Sequence, residues 1–221
     1  MRSIIAKSAG ILAVSSMVLL PVPLQAAEKT TNHNSHAHGE KSAEKSVYKG
    51  YFENSQIKSR TLADWQGDWQ SVYPYLEDGT LEPVWAHKAE SGDKTAEEYK
   101  AYYTTGYRTD VDRIVIDGDR ITFHKGAEAA TGLYEEDGYE ILNYEKGNRG
   151  VRFIFKKVDG DDSAPEIIQF SDHQIAPGKA GHYHLYWGDD REALLSELTN
   201  WPTYYPSSLN GEQIVEEMTA H

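Results

Sequence analysis

The residues best suited to chemistry lie between Gln169 and Gly188, in the run QFSDHQIAPGKAGHYHLYWG, which holds His173, His182 and His184 of the chain's nine histidines. His182 and His184 are two apart, so on a strand both imidazoles leave the same face, roughly 6.5–7 Å apart at the backbone. Upstream, Ile167 to Phe170 reads as a strand running into Ser171, Asp172 and His173. Pro177, Gly178 and Gly181 mark a loop long enough to return the next strand antiparallel. Folding that hairpin brings His173 opposite the His-x-His pair. Three neutral imidazoles on a rigid strand pair, with a fourth position open to water or a carboxylate, make a zinc-like ligand set. The chain has no cysteine to bias the site toward soft metals, so the same nitrogens also suit copper, nickel or cobalt.

A second group, His33, His36 and His38, lies in the polar stretch Glu28 to Ser46. Such tracts are compositional metal-binding signals, and this one reads as an accessory, flexible tail that captures metal weakly and exchanges it quickly. His87 reads as a surface residue near a turn, His124 as the end of a strand facing no identified partner, and the terminal His221 as a frayed end rather than a metal ligand. A zinc hydrolase would need a general base beside the bound water. Asp172 is adjacent in sequence, but strand alternation points it away from His173. It is expected to orient an imidazole from behind or to serve the turn. The chain shows no phosphate-binding glycine loop and no nucleophile elbow, so no catalytic residue is assigned.

The elements that must position these histidines follow from the rest of the chain. Arg2 and Lys7, an apolar run from Ile11 to Leu24 broken by Pro21 and Pro23, and small residues at Ala26 and Ala27 read as a signal peptide over 1–26. The apolar run is too short and interrupted for a membrane span. The mature protein is expected to be exported to the periplasm, soluble, monomeric and without a stable membrane anchor. Residues 27–58 are assigned to the tail and 59–221 to one folded domain. Asp and Glu number 35 against 22 Lys and Arg, a net charge of −13, which argues against nucleic acid and anionic membranes as partners. Without disulfides, stability must come from the core or from bound metal.

Within the domain, Thr95 to Glu98 reads as a capping box that opens a helix through Tyr99, Tyr102 and Tyr103. From there the pattern turns to strands. Val111 to Ile116, an Asp117-Gly118 turn and Arg120 to Lys125 form a hairpin, followed by strands at Gly132 to Tyr134, Gly138 to Tyr144 and Val151 to Val158. After the histidine hairpin, Asp189 or Asp190 caps a helix carrying Ala193, Leu194, Leu195 and Leu198. Asn200 to Pro206 then reads as a rigid aromatic connector, and Gly211 to Met218 as a last helix. Short antiparallel strands with regular turn signals predict a mainly β fold, a closed or nearly closed meander with flanking helices. Such a barrel can hold a small ligand at its mouth.

Gly67-Asp68-Trp69 resembles the Gly-x-Trp opening of lipocalin-like (calycin) barrels. The longer runs GDWQSVYPYL at 67–76, GNRGVRFIF at 147–155, QFSDHQIAP at 169–177 and NWPTYYP at 200–206 resemble the ZinT family, also called YodA. The resemblance covers Thr61 to His221. It implies a lipocalin-like (calycin) antiparallel β-barrel that binds zinc and cadmium in the periplasm, and a non-enzymatic role in zinc shortage. It places the family's metal histidines on His173, His182 and His184, and its histidine-rich segment on His33, His36 and His38. It also implies a partner, the solute-binding protein ZnuA of a zinc ABC importer, to which zinc is passed. Two alternatives remain at this stage: a calycin carrier of a small organic ligand, with the histidines at its rim, and a zinc-dependent hydrolase.

Overall fold

The computed structural model describes residues 46–197 and 199–220. The signal-peptide assignment, His33, His36 and His38, Leu198 and His221 lie outside the described residues. Eight strands close into one antiparallel barrel in chain order: β1 (Gly67–Ser71), β2 (Arg113–Asp117), β3 (Arg120–Lys125), β4 (Glu128–Asn143), β5 (Arg149–Gly160), β6 (Ile167–Ser171), β7 (Tyr183–Gly188) and β8 (Thr203–Pro206). Strand β8 pairs with both β7 and β1, which removes every free edge. Among the described residues, the helices α1 (Tyr73–Glu77), α2 (Glu82–Ser91), α3 (Ala96–Tyr107), α4 (Arg191–Leu195) and α5 (Gly211–Thr219) flank the barrel.

The alternation of apolar and polar residues decides what each face of the barrel does. Trp69, Ile114, Phe153, Phe170, Tyr183 and Tyr204 point inward and are essentially fully buried. Their rings interlock: Trp65 stacks on Phe170 at 4.5 Å, and Tyr183 meets Trp69 at 4.7 Å and Phe170 at 5.1 Å. Trp69 of the Gly-x-Trp run donates its indole N–H to the Trp65 carbonyl at 2.7 Å. The barrel interior is thus a packed aromatic core.

Residues of the opposite parity face outward, and on one side they meet a second core. Val72, Leu76, Leu81, Val84 and Trp85 from the α1–α2 region join Ile214 and Met218 of α5. Tyr107 closes α3, and Tyr205, on the outer face of β8, completes the layer. The ends of these helices are well specified. The Thr95 hydroxyl accepts from Glu98 N–H while the Glu98 carboxylate accepts from Thr95 N–H, the expected capping box. Asn210 and Gln213 repeat the device at α5. Asp190 caps α4 through the N–H groups of Glu192 and Ala193.

Three sequence-based boundaries shift. The strands expected at 132–134 and 138–144 are one strand, β4, because Gly138 at φ +83° absorbs a bulge and the ladder to β5 resumes beyond it. The connector expected at 200–206 contains β8, the strand that closes the barrel. The chain is also integrated into the fold before residue 59. Phe52 and Ile57 are buried in the barrel core cluster, Arg149 N–H donates to the Gly50 carbonyl at 2.9 Å, and Lys58 N–H to the Ile175 carbonyl at 2.9 Å. Those two apolar side chains and the backbone pairing hold 46–58 against the barrel, so the fold begins ahead of the boundary expected at residue 59.

Candidate metal centre

Strand β7 places Tyr183 and Leu185 in the barrel core, so His182 and His184 project from the outer wall toward the helical layer. In the β6–β7 ladder Ser171 pairs with His184, and continuing that register by two residues would set His173 opposite His182. The ladder stops short because His173 adopts φ +65°, the left-handed region. This swings its ring over the pair. The structure therefore brings His173, His182 and His184 together: each offers a ring nitrogen, all within 4.8 Å of one another. Ring centroids are 5.6 to 5.9 Å apart. Tetrahedral coordination at about 2.0–2.1 Å puts ligand nitrogens about 3.4 Å apart, so modest side-chain rotations complete the geometry. No other such cluster of three ligating groups occurs among the described residues.

Each imidazole is held by a different device. His173 stacks on Tyr48 at 4.5 Å, and His182 stacks on Tyr205 at 5.1 Å with the rings 14° from parallel. His184 Nδ1 lies 2.8 Å from the Thr203 hydroxyl, directly across the β7–β8 ladder. That hydroxyl donates its proton to the Trp201 carbonyl at 2.9 Å. It therefore accepts from His184, which places the imidazole proton on Nδ1 and leaves the Nε2 lone pair for a metal. Burial, followed by the neighbouring His173, His182 and Arg152, holds the His184 pKa well below its ordinary value. The ring is neutral and ready to ligate.

The loop carrying His173 is stapled from beneath. Arg60, itself buried, donates to Asp172 at 2.6 Å, to the Gly178 carbonyl at 2.9 Å and to Asp64 at 2.9 Å. Its guanidinium also lies 4.0 Å above the Trp65 ring centroid. Asp172 accepts from Gln174 N–H as well, so its carboxylate serves the loop turn and the Arg60 pair, and the role of orienting an imidazole belongs to Thr203. Burial raises the Asp172 pKa, against the opposing pull of Arg60.

Thr203, Tyr48, Tyr205 and Lys88 were not singled out from sequence. For Thr203 and Tyr205 the signal was present. Read as a strand, TYYP puts both on the face opposite buried Tyr204. His87, expected near a turn, lies within α2, half exposed and 3.8 Å from Glu90. His124 sits on β3 across from Arg113 and Ala129. Neither approaches the three clustered histidines.

The histidines open into a pocket of about 340 Å³ between the barrel wall and the helices. Its walls include Tyr48, Lys88 of α2, Tyr102 and Tyr103 of α3, and Trp201.

Comparison with known proteins agrees with the fold. The family model described as "ZinT (YodA) periplasmic lipocalin-like zinc-recruitment" matches residues 43–221. The "Probable metal-binding protein YrpE" of Bacillus subtilis is 63% identical over 176 residues, 79% of this chain and 70% of that protein. The "Zinc-binding protein AdcA" of Streptococcus pyogenes serotype M1 is 54% identical over 187 residues, 82% of this chain but 36% of AdcA. The chain thus spans about a third of that relative. The crystal structure of the Zn(II)-bound ZinT-like domain of Streptococcus pneumoniae AdcA superposes with a TM-score of 0.76 at 50% identity, covering 78% of this chain and 97% of that domain. The chain belongs to the ZinT (YodA) family of lipocalin-like zinc-recruitment proteins, a family of metal binders rather than enzymes.

Proposed function

We propose that this protein captures zinc outside the cytoplasm on His173, His182 and His184, with a fourth position open to the pocket, and yields it to the solute-binding component of a zinc ABC importer of the ZnuA type. The observation that carries this reading is the convergence of three imidazole nitrogens within 4.8 Å on the barrel wall. The Zn(II)-bound ZinT-like domain of the pneumococcal relative supports zinc as the cargo, and the AdcA relatives, named as zinc-binding proteins, support the same metal. An open coordination position suits a carrier, because an incoming ligand from the acceptor can enter before the outgoing imidazoles leave. Cadmium, nickel, cobalt and copper are expected to occupy the same nitrogens. His33, His36 and His38 are proposed as an accessory collecting tract, and residues 1–26 as an export signal that delivers the protein to the periplasm.

The geometry favours this reading over the two alternatives. A hydrolase needs a base at the bound water, yet no carboxylate among the described residues lines the pocket, and Asp172, held by Arg60 and Gln174 through Oδ1, is buried outside it. A calycin carrier of an organic ligand needs a hollow barrel, and here aromatic rings fill it. Calorimetric zinc titration of the mature protein beside the His173, His182 and His184 triple-alanine variant tests the proposal. One tight event in the parent, lost in the variant, is expected. Equal binding by both would move the metal to the tail and refute the barrel site. Direct transfer is tested by mixing zinc-loaded protein with a metal-free importer binding protein and following which carries the ion. Transfer no faster than spontaneous release would refute handover.

A further inference from the structure

The pocket that receives the metal has an unusual charge balance. Three imidazoles with neutral nitrogens leave a bound zinc ion with its full divalent charge. Among the described residues, the only other charged side chain lining the pocket is Lys88, a cation. No aspartate or glutamate contributes to the wall among the described residues. Lys88 is partly buried, its Nζ lies 5.5 Å from the centroid of the Tyr103 ring, and it joins none of the ion pairs formed among the described residues. Burial lowers its pKa from the ordinary lysine value, a sign that its charge is incompletely solvated. A zinc ion and an ammonium facing one low-dielectric space repel each other. The remaining walls, Tyr102, Tyr103, Tyr107 and Trp201, are flat aromatic surfaces, and 340 Å³ falls within the range of small-molecule sites, roughly 300–1,000 Å³.

We propose that the site takes zinc as a ternary complex with a small carboxylate-bearing molecule, whose carboxylate displaces water from the fourth position and also meets the Lys88 ammonium. The molecule's body lies against the aromatic walls. This rests on the zinc reading and adds the co-ligand's chemical class. Lys88 is then a positioning residue for the anion, and it opposes the metal when no anion is present.

Two signs of effect follow, which a structural role for Lys88 would not produce together. Lys88→Met removes the charge while keeping the aliphatic stem on Tyr103, so zinc alone binds the variant at least as tightly as the parent. Benzoate, a flat monocarboxylate too weak to strip the metal, raises zinc affinity of the parent about tenfold by reciprocal linkage, and that gain is lost in the variant. The cobalt-loaded protein reports the same event directly, as a change in its visible d–d bands on adding millimolar benzoate. Uptake of cobalt and zinc with bands and zinc affinity blind to benzoate overturns the carboxylate proposal alone, as does an identical benzoate response in Lys88→Met. Failure to take up either metal overturns the zinc reading itself and the co-ligand with it.

Discussion

Replacing Thr203 by valine separates the imidazole's hydrogen-bond partner from its packing, because the two side chains are nearly isosteric. In the parent, the threonine hydroxyl donates to the Trp201 carbonyl and accepts from His184 Nδ1. Valine cannot accept. The metal-free variant has an escape: the imidazole proton moves to Nε2, where it faces the pocket. The metal-bound variant has none, since Nε2 is then committed to the ion and the Nδ1–H stays buried without an acceptor. The penalty for an unsatisfied buried donor, about 1–3 kcal/mol, therefore falls on the zinc-bound state. At about 1.4 kcal/mol per decade this weakens zinc about 5- to 150-fold, in line with the roughly 10- to 100-fold expected when a ligand's supporting partner is removed. Thr203→Ser, which keeps the hydroxyl, is expected to stay close to the parent. Competition against a chromophoric chelator measures the affinities, and ¹⁵N NMR of the metal-free imidazole reads the tautomer. Zinc affinity in Thr203→Val within twofold of the parent, or an Nε2–H tautomer in the metal-free parent, would refute the assignment of the proton to Nδ1.

Other outcomes are tied to single contacts. Tyr48→Ala removes the ring stacked on His173, and an aromatic contact worth about 0.5–1.5 kcal/mol translates into zinc release faster by about 2- to 10-fold. Stopped-flow chelator capture checks this, with Tyr48→Phe expected to behave as the parent. Metal-free stability depends on His184: its folded pKa lies below the unfolded value, so the unfolded chain binds the extra proton. Stability is then full above pH about 6.5 and falls as pH drops below it, by on the order of 1 kcal/mol between pH 7.5 and 5.5. Urea denaturation of the parent and of His184→Gln at those two pH values should show that increment missing in the variant. Arg60→Met leaves the Asp172 carboxylate buried without its partner and is expected to cost about 3–5 kcal/mol. A loss below 1 kcal/mol in urea unfolding would mean that the loop does not depend on the staple.

The sequence disclosed the three histidines because their signal is local. A His-x-His on a strand and a third histidine before a glycine-rich return need only period two and a hairpin to meet. The barrel was legible for the same reason, through turn residues such as Gly118 and alternating strands such as Arg113–Asp117. What stayed hidden depends on partners distant in the chain. Thr203 touches His184 only because β8 pairs with β7, and Tyr48 reaches His173 only because the segment before residue 59 packs across the barrel. Arg60 and Asp172 are 112 residues apart, yet together they hold the loop. Side-chain parity then explains where the site lies. Tyr183 and Tyr204 fill the barrel, so their neighbours His184 and Thr203 must face out, and the pocket forms between wall and helices rather than in a barrel mouth. A lipocalin-like fold usually invites a ligand into its lumen. Here the aromatic core closes the lumen and stiffens the wall, which lets the outer face hold three imidazoles nearly in register beneath the aromatic layer of the helices.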